Sequence, residues 1–198
     1  MLTHSDLHSL EEYSRIRNDF KRIVVNHRKN RQVQLGSHMT LHFEDRVTVK
    51  YQIQEMLLIE RTFTAEGIQD ELDAYNPLIP TGKNLKATLT IEYSDPEVRA
   101  EKLTRMHRIE DQIYIQVEGH PVVYAIADED MDRSNDTKTA AVHFLRFELT
   151  ESMIADLQNL DKDLIIGVVH PAYNEHTRVN TLTKEMLVKD FNENSILA

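Results

Sequence analysis

DRVTVKYQIQEMLLIERTF, residues 45–63, is the longest apolar-rich run in the chain without Gly or Pro, and its reading decides the fold. Two periodicities compete in it. Val47, Val49, Tyr51 and Ile53 alternate with Thr48, Lys50, Gln52 and Gln54, the two-residue period of a half-buried strand. From Glu55 onward the alternation fails, and residues 52–61 are mostly good helix formers. One strand through Phe63 would far exceed the ~5–6 residues usual for strands, and Asp45 is a suitable N-cap. The expectation is one helix over residues 45–62, with apolar side chains on most sides and hence burial on several faces. Its carboxylates, Glu55 and Glu60, then need partners or an edge position. Ion pairing with neighbours such as Lys50 or Arg61 is one reading; a metal ligand or a base facing a pocket is the other. Five residues apart, the two lie about 140° apart round a helix, so sharing one ion would need ligands from elsewhere.

Upstream, Ser9 with Glu12 three positions on forms a capping box. The helix it opens runs to about Asn30, with Tyr13, Ile16, Phe20, Ile23, Val24 and His27 on one stripe. Val33 and Leu35, then Gly36-Ser37, then Met39, Leu41 and Phe43 spell a hairpin. Thr40, His42 and Glu44 share its other face, where His42 and Glu44 form either a two-ligand metal pair or simply a wet surface.

Downstream, Thr64 caps a short helix over 65–74, and YNPLIPTG, residues 75–82, forces a turn and an extended crossing. The back half reads as strands over 85–93, 113–117, 122–127, 141–149 and 164–169. Helices follow Asp95-Pro96 and Thr150. A last helix starts at Thr183, with Leu182 and Leu187 as a hydrophobic staple. The order β-α-β-β-β-α-β implies an α+β fold: a mainly antiparallel five-stranded sheet with helices on one face. The chain is read as a single domain, 1–198. Residues 1–80 are helical with a hairpin, 81–173 hold the sheet, and 174–198 form a helical tail.

At 198 residues the chain can bury a core unaided, and with no Cys it offers no disulfide, thiolate or Cys-ligated cluster. There is no apolar signal core and no run near the ~20 apolar residues of a membrane span, so a cytoplasmic protein is expected. The net charge of −10 argues against nucleic acid. That charge is uneven. Residues 13–32 hold seven of the 23 basic residues and one of the 33 acidic ones, leaving 16 against 32 elsewhere. The basic helix, with Arg15, Arg17, Lys21, Arg22 and Arg28, is either a solvated helix docked on an acidic body or a surface for an acidic protein partner.

The run 128–136 has acids but lacks the Gly and spacing of a Ca²⁺-binding EF-hand loop. His143 falls on the core face of its strand and matters for chemistry only if Glu55 or Glu60 reaches it. Arg146 and Glu148 suit a cross-strand charge ladder. His170, at a strand end before Pro171 and Tyr173, sits where functional groups collect. Glu55, Glu60, His143 and His170 are therefore the candidate ligands for iron, manganese or zinc. Tyr75, Asn76 and Tyr173 are further pocket candidates. None of the familiar catalytic signatures is present.

Several strings, in order, resemble an uncharacterised bacterial family: YQIQEMLLIER, DELDAYNPLIP, NLKATLTIEY, YAIADED and VHFLRFELT, with the HPAY ending, spanning roughly residues 1–173. The resemblance brings no established activity. It implies a gene context beside rubrerythrin and a cysteine-rich iron–sulfur oxidoreductase, hence a redox or peroxide-stress setting. The leading expectation is an accessory protein of such a system that docks an acidic partner through the basic helix. The alternative is a metal-dependent or small-ligand-binding enzyme with a His/Glu site. A homo-oligomer joined through the apolar central helix is the third.

Overall fold

The computed structural model describes residues 1–127, 139–159 and 161–191. The competition within residues 45–63 resolves as helix. Asp45 accepts hydrogen bonds from the amides of Val47 and Thr48 at 3.0 and 2.9 Å, and Thr48 Oγ1 accepts from the Asp45 amide at 2.9 Å. This reciprocal cap satisfies donors that a helix start would otherwise leave unpaired. The helix, α2, spans Arg46–Glu60. Val49, Ile53 and Leu57, four apart, form its buried stripe, whereas Ile59 is 66% exposed. Ile59 and Glu60, at its C-terminal end, are its only exposed residues, so burial falls on several faces of the helix, as expected.

Three helices make one layer. α1 (Leu10–Lys29) is capped by Ser9, which accepts from the Glu12 amide. α3 (Ala65–Tyr75) is capped by Thr64. Their shared core gathers Leu2, Val49, Ile53, Leu57, Leu72 and Ile79. The hairpin, β1 (Gln32–Leu35) and β2 (Met39–Phe43), turns through Gly36 at φ +61°, a conformation that favours glycine.

Instead of standing apart, the hairpin extends the sheet. β2 pairs with β3 (Asn84–Ile91), Leu41 opposite Leu89, and β3 pairs with β7 (Val142–Glu148). Between β3 and β7 lie α4 (Pro96–Arg105), β4 (Ile113–Val117), β5 (Val123–Tyr124) and β6 (Ile126–Ala127). After β7 come α5 (Glu151–Gln158), β8 (Leu164–His170), β9 (Tyr173–Arg178) and α6 (Thr181–Val188).

The α+β class holds, but the strands form two antiparallel sheets where strand order alone predicts one of five strands. Their orders are β1-β2-β3-β7-β6 and β5-β4-β8-β9. The expected strand 122–127 is divided between them, Tyr124 opposite Tyr114 and Ile126 opposite Arg146. The two inner faces share one core, with Leu41, Leu89 and Phe147 from the first sheet and Ile115, Ile166 and Val168 from the second. Each such side chain contributes about 1.5–3 kcal/mol by leaving water. Met106, Met153, Leu157, Leu187 and Phe191 join the same core from the helical segments.

The tail also departs from expectation. It contributes β9, whose pattern Tyr173–Arg178 is mostly exposed and so carries no apolar alternation. α6 starts earlier than expected: Asn180 accepts from the Thr183 amide at 2.9 Å. Leu182 is thus 52% exposed and forms no staple with the buried Leu187. The acidic run 128–136 lies outside the described residues.

Candidate functional site

The outer face of the five-stranded sheet is polar because β2 and β3 alternate strictly. Thr40 and His42 face Thr90 and Thr88 across the pair. The helical layer lies over this face without closing on it. The gap is a cleft of about 330 Å³, at the small end of ligand-binding sites. Its polar groups are Arg28 from α1, His42 from β2, Glu44 just beyond it, Gln52 from α2 and Thr88 from β3, with Tyr75 at the end of α3. Val49, Leu78 and Phe144 supply apolar wall.

Glu44 is held in place. Its Oε1 accepts from Thr88 Oγ1 at 2.8 Å and its Oε2 from Thr48 Oγ1 at 2.5 Å. His42 Nε2 lies 3.3 Å from Thr90 Oγ1, and the one proton of that hydroxyl has Glu92 Oε1 at 3.0 Å. The set is satisfied when His42 Nε2 donates to Thr90, which leaves the Nδ1 lone pair available. Burial lowers the His42 pKa, with the Arg28 charge acting in the same direction and Glu44 and Glu92 opposing it. His42 is thus neutral near pH 7, an acceptor or base in place of a cation. The Arg28 guanidinium lies 5.6 Å from the centre of the Tyr51 ring, within cation–π range.

The residues expected to form a metal site are held in four separate surroundings. Glu55 takes Arg17 in a bidentate fork, Nε to Oε1 at 2.8 Å and Nη2 to Oε2 at 2.7 Å, and Tyr13 OH at 2.7 Å. The Arg17 hydrogen bond, before all else, lowers its pKa. Glu60 is exposed at the end of α2. His143 is fully buried, as its strand position predicts, but Glu110 reaches it in place of Glu55 or Glu60. Thr139 Oγ1 bridges the two at 2.8 Å to each. His143 Nε2 donates to Ala140 O at 3.0 Å. His170 donates from Nε2 to His107 O at 3.2 Å and accepts at Nδ1 from Ala172 N at 3.1 Å, so both ring nitrogens are engaged within the chain. Among the described residues no cluster of three or more His, Asp or Glu is placed to hold a metal.

The bases of α1 are also largely engaged within the chain. Arg15 pairs with Glu11, Arg22 with Asp19 and Arg17 with Glu55. Lys21 is exposed and adds to the positive field at Glu55. Of the further pocket candidates, only Tyr75 lines the cleft. Asn76 instead pins the N-terminus, accepting from Leu2 N at 2.7 Å and donating to Leu2 O at 3.0 Å. Tyr173 bridges the two sheets, donating to Leu35 O at 2.6 Å.

Sequence reasoning picks out His42 and Glu44 as a pair and Arg28 among the bases, but misses Gln52, Thr88 and Phe144. The available signal is the run of polar residues on the outward positions of β2 and β3.

Fold and cleft define a two-sheet α+β protein with a helical layer over one sheet and a ligand-sized gap between them. The chain belongs to the family described as protein of unknown function (DUF3501), whose model matches residues 1–191. The match runs past Tyr173, where the sequence resemblance ends, as far as residue 191. The chain is also similar to the crystal structure of a protein of unknown function from Burkholderia pseudomallei. The two are 46% identical with a TM-score of 0.92, over 96% of this chain and 99% of that one. No curated protein matches. No helix among the described residues is long and apolar enough to cross a membrane.

Proposed function

We propose that this protein binds a small polar ligand in the cleft between the helical layer and the five-stranded sheet. The single observation behind this is the convergence of Arg28, His42, Glu44 and Gln52, drawn from α1, β2 and α2, on one open gap of about 330 Å³. A surface that served only packing would be closed by apolar contact, as the opposite face of the same sheet is. The reading moves the function toward the small-ligand alternative and away from docking through α1, where Arg15, Arg17 and Arg22 already have acidic partners. The redox or peroxide-stress setting stays in the proposal as context, resting on the family resemblance, with the ligand as the link to it. The neutral, half-buried His42 suits a general base should the ligand be turned over.

The test is a titration of ¹⁵N-labelled protein with a set of small polar molecules, followed by amide shifts. Saturable shifts confined to the neighbourhoods of Arg28, His42 and Gln52, lost in Arg28→Gln, are expected. Shifts confined to other surfaces, or an absence of saturable binding, would overturn the reading. An acidic protein that binds wild type but not a charge-reversed α1 would restore the docking alternative.

A further inference from the structure

The cleft carries a positive and a negative group that are not spent on one another. We propose that its ligand is a small zwitterion of the α-amino-acid type, with its carboxylate on Arg28, its ammonium on Glu44 and its side chain against Leu78 and Phe144. This rests on the reading of the cleft as a ligand site. Arg15, Arg17 and Arg22 of α1 each have a carboxylate partner, whereas Arg28 has none among the described residues. The Tyr51 ring beside its guanidinium steadies the plane without consuming donors. That leaves a planar fork matched to a carboxylate.

Glu44 is prepared in the complementary way. Each of its oxygens takes one threonine hydroxyl, from Thr88 or Thr48. A carboxylate offers about four acceptor sites, so both oxygens keep a lone pair for an ammonium group. His42 lines the same cleft and feels both charges. The volume of about 330 Å³ lies at the small end of ligand-binding sites, a size suited to a single amino acid or a small derivative. A second hollow of about 200 Å³ shares Leu78 and Phe144 with the first and gives the side chain room along the sheet. A simple carboxylate would meet Glu44 as a like charge, and a simple amine would meet Arg28. Only a ligand with both charges satisfies both ends.

The experiment titrates the full ¹⁵N-labelled chain with each proteinogenic L-amino acid. The strongest binder is then replaced by its des-amino acid and its decarboxylated amine, with neutral polar fragments alongside. At least one amino acid is expected to shift amides around Arg28, Glu44 and Gln52 saturably. Both half-charged analogues should bind about tenfold more weakly or worse, each lacking one charged hydrogen bond. Arg28→Gln should lose the amino acid while keeping its melting temperature; because Glu44 also holds two threonines, Arg28 is the cleaner variant. A des-amino acid that binds as well as its parent, or unchanged binding to Arg28→Gln, would overturn the zwitterion. If neutral fragments fill the cleft and no amino acid does, the zwitterion falls and the ligand site stands. If nothing binds there, both fall.

Discussion

A carboxylate set among Met56, Leu57, Leu58 and Ile59 has its role decided by side chains far away in sequence. Glu55 meets Tyr13, 42 residues upstream, and Arg17, 38 upstream. Ion pairing is legible in the sequence as a need, since an unpaired carboxylate there would be costly. The partner is not legible, because Lys50 and Arg61 are nearer in sequence and nothing local encodes how α1 crosses α2. Tyr13 is 0% exposed, and its hydroxyl donates to Glu55. Burial, before the Glu55 charge, raises its pKa, so the phenol stays protonated and keeps donating across the ordinary pH range. Tyr13→Phe should therefore cost about 1 kcal/mol, the loss of one hydrogen bond, with α1 and α2 still docked. Chemical denaturation at pH 7 checks this. No change in midpoint would mean that Arg17 alone satisfies Glu55.

At the scale of elements, Arg31 ties together parts of the chain that look independent in sequence. Composition groups it with the bases of a docking helix, yet its side chain is only 1% exposed. It lies just past α1 and donates to Phe43 O at 3.1 Å, Glu44 O at 3.1 Å and Met186 O at 3.0 Å. Asp190 at 2.5 Å and Asp45 at 3.3 Å balance its charge, and His27 contacts the same Asp45 oxygen at 2.5 Å. One guanidinium thus holds the end of β2, the start of α2 and the C-terminal segment. The caps and alternations of each element are readable because they depend on neighbours in sequence. This junction is not, because its partners stand up to 159 positions apart.

Its pH dependence has a definite sign. Burial pushes Asp190 up to about 6 from its usual 3.8, despite Arg31 beside it. Between those values the folded state holds a proton that the unfolded state has lost. The Asp190 contribution is therefore fully present below about pH 4 and is lost as pH rises through about 6. Asp45, whose pKa is lowered chiefly by its hydrogen bond with His27 and the Arg31 charge against the cost of burial, acts oppositely and loses its contribution in acid. The stability of wild type relative to Asp190→Asn should fall by about 2–3 kcal/mol between pH 4 and 7, at ~1.4 kcal/mol for each tenfold difference in proton affinity between the folded and unfolded chains. Denaturation of both proteins across that range tests it, and a pH-independent difference would refute it.

For the whole molecule, the α+β class is legible from strand alternation and helix caps, but the division into two sheets is not. The reason lies at the edges. Strand 122–127 switches sheets halfway, which periodicity cannot show, and β9 has polar residues where alternation would have announced it. On the opposite side the gap between β1 and β9 is closed by side chains. Tyr173 OH donates to Leu35 O and accepts from His38 N at 3.2 Å, and Thr177 Oγ1 donates to Gln34 O at 2.8 Å. The turn at Gly36 is part of this seam, since a Cβ there would come within 2.5 Å of the Tyr173 hydroxyl. The phenol is kept neutral because burial, ahead of the nearby Glu175, raises its pKa. Tyr173→Phe removes two hydrogen bonds at the seam while keeping the ring, so it should cost about 1–2 kcal/mol. The loss should be local as well as global. The His38 amide loses its acceptor and should exchange with solvent faster than the amides of β3 and β7, which keep both strand neighbours. Amide hydrogen exchange of the variant checks this. Uniform acceleration through both sheets would mean that the two halves of the core open as one and that Tyr173 is not what closes the seam.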